Sequence, residues 1–469
     1  MKALRSLLIA SLLAVATSAS AQDPSPWKFE FHGFVTGSMF VQNQVFSGGT
    51  GQDNLLAAPA PSQAAPCKTA ACTGGTFAAG RATKSGTFFG ADARQSRWVF
   101  VLSGPSAFGA VPKVYFEGDF LGNTANIPTG GTAAVPNPLP TPPPASGTSN
   151  ATVTLTYPGG AIENTQARLR QAYGELKWGP TQLQMGQYSA HYVLLGLSDS
   201  VAHIANPITF GTGTIGGRTV GLRVLHTMPV GDMSLQLAGE VAAPKWNDPV
   251  RGGALANISQ AWASGMPAFG AKAALSGKGS GLTYAVSAAV QYESVDFKSF
   301  GTTTPTGVAL ADGSFKTSAS PYAVAGYLNV GYSMVNLTGT YYTGQGTGVW
   351  TGAIGQLGQF DSSGFWAQLR VQPLKELSIA GLYGMGSANE KGVRLWNDAA
   401  VATGTQRKEN TLMGGILRYS DGGYTFAAEY YQMETTWLQG TWAQYAAGTA
   451  PGTIKTDGYQ FVLSGHYAF

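Results

Sequence analysis

Charged side chains are scarce. Lys, Arg, Asp and Glu make up 11% of the 469 residues, against roughly 25% in an ordinary soluble domain. The 28 basic and 24 acidic residues leave a net charge of only +4. No Lys/Arg-rich block is present, which excludes a nucleic-acid binder that works by neutralising phosphates. Long apolar runs are missing as well. Beyond the N-terminal segment nothing approaches the ~20 apolar residues of a spanning helix, so a helical membrane bundle is excluded. Cysteine is confined to Cys67 and Cys72, too few for a zinc site. Disorder is excluded by what is abundant: 22 Phe, 20 Tyr and 10 Trp, residues that disordered chains lack. Glycine, at 64 residues, stands about twofold above its usual ~7%. A glycine-rich, aromatic-rich, charge-poor and half-apolar chain has the balance of a transmembrane β-barrel, whose strands face lipid on one side and water on the other.

The N-terminus carries an export signal. Lys2 and Arg5 form a positive start, Leu7 to Ala16 an apolar stretch, and Ala19-Ser20-Ala21 a small-residue cleavage site. This reads as a secretory signal peptide over 1–21, leaving 22–469 as the mature chain. In an exported protein, two cysteines as close as Cys67 and Cys72 read as one small disulfide loop.

Period-2 alternation recurs along the mature chain. In the last segment Tyr459, Phe461, Leu463, Tyr467 and Phe469 share one face, and Gln460, Ser464 and His466 the other. Met233, Leu235, Leu237 and Val241 alternate with Ser234, Gln236 and Glu240; Tyr424, Phe426, Ala428 and Tyr430 alternate with Thr425 and Glu429. Each such strand is a weak signal, and their number is the evidence. The connections alternate in length. Short turns fall at 103–112, 178–181, 228–232, 277–281, 332–336, 372–376 and 420–424. Between them lie long Gly/Thr/Ala/Pro-rich segments near 41–86, 124–163, 189–214, 243–266, 294–320, 345–362, 387–408 and 436–456. Seven short turns and eight long loops make sixteen antiparallel strands, with tight turns on the periplasmic side and long loops outside.

A lipid-facing Arg or Lys at mid-wall costs ~2–4 kcal/mol, so strand charges are expected to face the lumen. The phases agree. Glu117 and Asp119 oppose Phe116 and Phe120; Arg97 alternates with Trp98 and Phe100; Arg168 and Arg170 oppose Leu169 and Tyr173. Arg223 opposes Leu222 and Val224, and Arg370 opposes Leu369 and Val371. Arg97, Glu117, Asp119, Arg168, Arg170, Arg223 and Arg370 are therefore the candidate pore-lining and solute-binding residues. Arg94 and Arg218 fall on the lipid phase near the loop ends, where the penalty drops to about 0–1 kcal/mol.

Other motifs carry little. Gly211-Thr-Gly213-Thr-Ile-Gly216 matches GxGxxG, but a dinucleotide fold needs a strand before it and a helix after it, and here a long loop precedes. None of the five histidines pairs with another at metal-binding spacing. No nucleophile motif points to an enzyme, and no catalytic residue or cofactor is expected.

Six segments together resemble the DcaP-like family of Gram-negative porins: FHGFVTGSMF (31–40), ARQSRWVFVL (93–102), VYFEGDFLGN (114–123), RLRQAYGEL (168–176), GQYS (186–189) and GGRTVGLRV (216–224). They span the N-terminal half of the mature chain. The terminal Tyr467-Ala468-Phe469 resembles the C-terminal signal of outer-membrane barrels generally. The sequence departs from the family in running from QDPSPW straight into the first strand, where a periplasmic coiled coil commonly precedes. The resemblance implies a sixteen-stranded homotrimer in the outer membrane of a Gram-negative bacterium. It also implies a narrow basic pore that passes small hydrophilic anions such as dicarboxylates. In barrels of this type the third long loop, 189–214, is a candidate to fold inward; the sequence leaves that open. The expected function is passive diffusion of small hydrophilic solutes. The rival is a barrel enzyme or surface-binding protein acting through its long loops.

Overall fold

The computed structural model describes residues 27–43, 87–121, 133–134, 152–153, 167–189, 196–204, 207–246, 264–297, 308–350, 352–354, 358–397, 406–450 and 452–469. The expected signal peptide and the Cys67–Cys72 disulfide lie outside them.

Sixteen antiparallel strands form a closed wall. They are β1 (Lys28–Gln42), β2 (Phe88–Asp92 and Arg97–Ser103), β3 (Val111–Asp119) and β4 (Arg168–Trp178). Next come β5 (Thr181–Ser189), β6 (Arg218–Val230), β7 (Met233–Ala242) and β8 (Ala268–Gly279). Then follow β9 (Leu282–Tyr292), β10 (Tyr322–Tyr332), β11 (Val335–Gln345) and β12 (Asp361–Val371). The ring ends with β13 (Leu377–Ala388), β14 (Arg407–Asp421), β15 (Tyr424–Leu438) and β16 (Thr453–Ala468). The seven short turns expected from the sequence each join consecutive strands of the wall. The tightest turns rest on residues at positive φ: Ser280 at 48° and Gly281 at 79° close the β8–β9 hairpin, the two-residue geometry that matches strand twist.

Closure is made by β1, which pairs on one side with β2 and on the other with β16. Phe34 to Gln42 run opposite Ala468 to Gln460. The chain end is fastened in turn, because Phe469 and Gly33 exchange backbone hydrogen bonds of 3.0 and 3.1 Å. Among the described residues the barrel wall has no open strand edge, which a lipid-facing sheet cannot tolerate. The alternation sorts the side chains as the sequence anticipates. Phe31, Val35, Met39, Phe100, Phe116, Leu222, Val224 and Leu369 stand exposed on the outer face. Thr36, Ser38, Gln184, Gln368 and Gln460 are buried on the inner one.

Two local irregularities shape the wall. In β2 the strand breaks at residues 93–96. Ser96 takes over there: its Oγ accepts from the Thr36 amide at 3.0 Å and donates to the Ala93 carbonyl at 2.7 Å. Arg94 lies in this break rather than on a lipid-facing strand position. It is buried, with Nε and Nη2 donating to Asp92 at 3.0 and 2.8 Å. The second irregularity is a bulge in β4. Gln171 stands opposite Glu117 and Leu169 opposite Gly118, so Arg170 is the extra residue. A bulge inserts one residue and shifts the side-chain phase beyond it.

At the loop end, segments following β7, β9, β11 and β13, with the last residue of β15, pack a separate apolar cluster around Trp246, Val295, Phe297, Ile354, Phe360, Val393, Trp396 and Leu438. Val393 and Trp396 come from a short helix, α1 (Glu390–Trp396), which Asn389 caps by accepting from the Gly392 amide at 2.8 Å. No helix among the described residues is long and apolar enough to cross a membrane.

Candidate functional site

The third long loop lies inside the barrel. Its described residues, 196–204 and 207–217, dock on the inner face of strands β10–β16. Gly196 packs against the Tyr327 ring on β10. Asp199 bonds to Gln368 on β12 twice, its amide donating at 2.9 Å and its carboxylate accepting at 2.6 Å. Glu429 on β15 accepts from Ser200 Oγ at 2.6 Å and from the Val201 and Ala202 amides at 2.7 and 3.0 Å. His203 Nε2 meets Gln460 Oε1 on β16 at 2.9 Å. Further along, Ile208 enters an apolar cluster with Trp366, Leu382, Leu412, Ile416 and Tyr431. Gly213 offers its carbonyl to Thr340 Oγ1 at 2.7 Å. The loop thus fills the side of the lumen bounded by β10–β16. The GxGxxG stretch is part of this docked loop, with no phosphate-binding helix after it.

The opposite wall carries the charges. Asp119 and Glu117 on β3 are sunk into it, and arginines from neighbouring strands cover them. Arg168 Nε and Nη2 donate to Asp119 at 2.9 and 2.6 Å. Arg170 spans both acids, reaching Glu117 at 2.7 Å and Asp119 at 2.6 Å. Arg97 approaches Glu117 to 3.3 Å, with its guanidinium 5.2 Å from the centre of the Phe34 ring. Gln171 and Tyr115 complete the shell of Glu117 at 2.7 and 3.0 Å. The layering is uneven. The side chains of Arg97, Arg168 and Arg170 keep 17%, 23% and 14% exposure, while those of Asp119 and Glu117 keep 0% and 6%. Arginine side chains, not carboxylates, therefore form the partly exposed layer of this wall.

A second run of contacts continues toward β7. Lys113 pairs with Glu175 at 3.2 Å; Gln184 donates to Glu175 at 2.5 Å; Arg223 donates to Gln184 at 2.6 Å. The Arg223 guanidinium stacks over Tyr188 at 4.2 Å and stands in register with Glu240 on β7. Aromatic rings join the two runs. Tyr115 and Tyr173 stack with 5.1 Å between centroids, and Tyr173 meets Tyr188 edge-on at 6.5 Å. Tyr173 was expected to face lipid. The bulge at Arg170 inverts the phase of β4, so Gln171, Tyr173 and Glu175 point inward together with Arg168.

Of the residues singled out from the sequence, Arg97, Glu117, Asp119, Arg168 and Arg170 form one contact group, and Arg223 belongs to the run beside it. Arg370 stands apart on β12, at 3.4 Å from Asp199, where it braces the docked loop. Arg218 sits at the loop end of β6, donating to the Leu169 carbonyl at 3.3 Å. Reading the sequence missed Lys113, Glu175, Asp199 and Lys272. The Glu175 phase was hidden by the bulge. Lys272 was legible, because Phe269, Ala271 and Ala273 alternate with Gly270, Lys272 and Ala274. Among the described residues no His, Cys, Asp and Glu cluster could hold a metal ion.

No protein-family model and no curated protein matches the chain. Solved structures do. The outer-membrane channel DcaP of Acinetobacter baumannii superposes with a TM-score of 0.58 at 14% identity, covering 96% of this chain and 100% of that one. An anion-selective porin from Comamonas acidovorans gives 0.47 at 8% identity, over 95% of this chain and 100% of that one. OmpF of Salmonella typhi, in complex with daunomycin, gives 0.47 at 10% identity, over 94% and 98%. The expected resemblance to DcaP-like channels thus holds at the level of the fold: the chain is a closed sixteen-stranded antiparallel barrel built like the DcaP channel.

Proposed function

We propose that the protein is an outer-membrane porin, a passive channel that favours small hydrophilic anions, dicarboxylates among them. The observation that carries this reading is the layering of the lumen wall, with arginines over buried acids on one side and the docked third loop on the other. A charge-lined constriction with low-dielectric walls concentrates the opposite ion. Paired charges can be merely structural, each neutralising the other. Here three arginines cover two acids, and the acids lie beneath, so the wall presents donors rather than acceptors. An entering carboxylate exchanges water for guanidinium N–H groups, whose planar fork suits bidentate contact. Because Asp119 and Glu117 already engage the same guanidiniums, the solute is held weakly enough to leave, as conduction requires. A homotrimeric assembly, implied by the family resemblance, belongs to the same proposal.

The test is the zero-current potential under a salt gradient in planar bilayers. Removing both arginines alone would strand Asp119, at a cost of ~3–5 kcal/mol for an unpaired buried charge. Arg168→Gln with Arg170→Gln is therefore combined with Asp119→Asn. Wild type is expected to prefer chloride over potassium, and the triple variant to lose most of that preference. A wild-type channel that prefers cations overturns the anion reading.

A further inference from the structure

Several of the lumen cations are paired with carboxylates. Arg97, Arg168 and Arg170 share Glu117 and Asp119, Lys113 has Glu175, and Arg370 has Asp199. Lys272, on the inner face of β8, has no hydrogen bond or ion pair among the described residues. Its surroundings explain why. Its cross-strand partners are Ala238 on β7 and Ala289 on β9. The next inward positions along its own strand are Gly270 and Ala274. The nearest carboxylate in the register, Glu240, stands opposite Gly270 and Arg223.

The ammonium does not stand on a bare wall. It opens onto a recess of about 250 Å³ whose rim includes Thr227, Ser234, Gln236, Ser276, Ser287 and Tyr327. At about 30 Å³ per water, that space holds roughly eight waters, the size of a small organic acid. Hydroxyl and amide groups can donate to its oxygens, and no carboxylate lines the recess to repel it. Several rim residues lie toward the short turns, beyond the Arg223 row as seen from the loops.

We propose that Lys272 and this recess form a second binding station for a small carboxylate, on the turn side of the arginine group. It rests on the anion-channel reading and deepens it: a solute released by the guanidiniums toward the periplasm meets a further cation before bulk water. Two sites in series keep each one shallow while the path as a whole stays attractive.

The experiment uses full-length wild type and Lys272→Gln in planar bilayers, inserted in one orientation, with succinate as the probe. Succinate is added to one side at a time and its interruptions of the chloride current are counted. The Lys272→Gln channel is expected to show a roughly tenfold lower succinate association rate from the turn side, the low end of what a focused field contributes. From the loop side the rate stays within about twofold, the salt-gradient potential is kept, and Lys272→Arg behaves as wild type. Heat-modifiable gel migration shows that each variant is folded. Equal rates from the turn side in wild type and Lys272→Gln overturn the station. So does an equal loss from both sides, which would make Lys272 part of the general field. A cation-preferring wild type instead overturns the anion reading itself, so the two failures are told apart.

Discussion

Glu429 anchors residues 200–202 of the docked loop with a single side chain. It is fully buried and accepts from Ser200 Oγ, two consecutive loop amides and the Tyr431 hydroxyl, the last at 2.6 Å. Hydrogen bonds to a charged group contribute about 1.5–3 kcal/mol each in favourable cases. Glu429→Gln removes the charge and replaces one acceptor by a donor aimed at other donors. The loop is expected to undock part of the time, visible as larger and noisier single-channel conductance with the barrel still folded. His203, three residues along the same loop, adds a pH dependence. Burial holds its imidazole below the ordinary value of 6.5, outweighing the pull of Glu429, the Gln460 contact and Asp92 in the other direction. The undocked loop therefore binds the proton more readily than the docked one. Docking is at full strength above pH 6.5 and weakens as pH falls below it. Current noise is expected to rise on acidification, and His203→Gln to flatten that rise. An acid response unchanged in His203→Gln would place the titrating group elsewhere.

At the scale of the element, regular strands were legible and the exceptions were not. Alternation works because each wall position is either lipid-facing or lumen-facing, so Arg97, Glu117, Asp119, Arg223 and Arg370 could be phased without any structure. It fails where the count slips. Nothing in RLRQAYGEL announces that Arg170 is a bulge residue, because a bulge depends on the partner strand as much as on its own sequence. Tyr173 and Glu175 were lost for that reason. Loop docking was illegible too, since Asp199 and Gln368 meet across 169 residues. Glycines make the seat for the loop. A Cβ added at Gly364 on β12 would collide with the Thr212 carbonyl, and one at Gly384 or Gly386 on β13 would press less severely on Thr212 and Gly211. Gly364→Ala is expected to push the loop off the wall and raise conductance, with strand content unchanged by circular dichroism. Conductance equal to wild type would show that the loop can give way without changing the bore.

Across the whole molecule, closure depends on the two chain ends meeting. β16 carries both the last apolar stripe and the partner face for β1, and Phe469 extends the ladder by two backbone bonds to Gly33. Its ring lies 5.5 Å from Phe31 on the outer surface. Deleting Phe469 removes those bonds and that contact at the seam, where an unpaired group in lipid costs several kcal/mol. Less heat-modifiable barrel is expected in outer-membrane fractions. Unchanged yield would show that the seam is secured by the Phe34–Gln42 pairing alone.

Under the proposed anion selectivity, the excess of lumen arginines over the acids beneath them makes the wall a fixed-charge ion exchanger. Its surplus cations are tethered and cannot be diluted, so the lumen would keep a complement of mobile counter-ions set by the wall and not by the bath. The Debye length grows from about 10 Å at 0.1 M salt to about 30 Å at 0.01 M, and in the dilute regime the field of the wall spans the whole bore. Conductance should then stop falling in proportion to bath salt and level off, while permselectivity climbs. A bacterium in fresh water would keep an open path for anions under conditions in which an uncharged pore of the same width is nearly insulating.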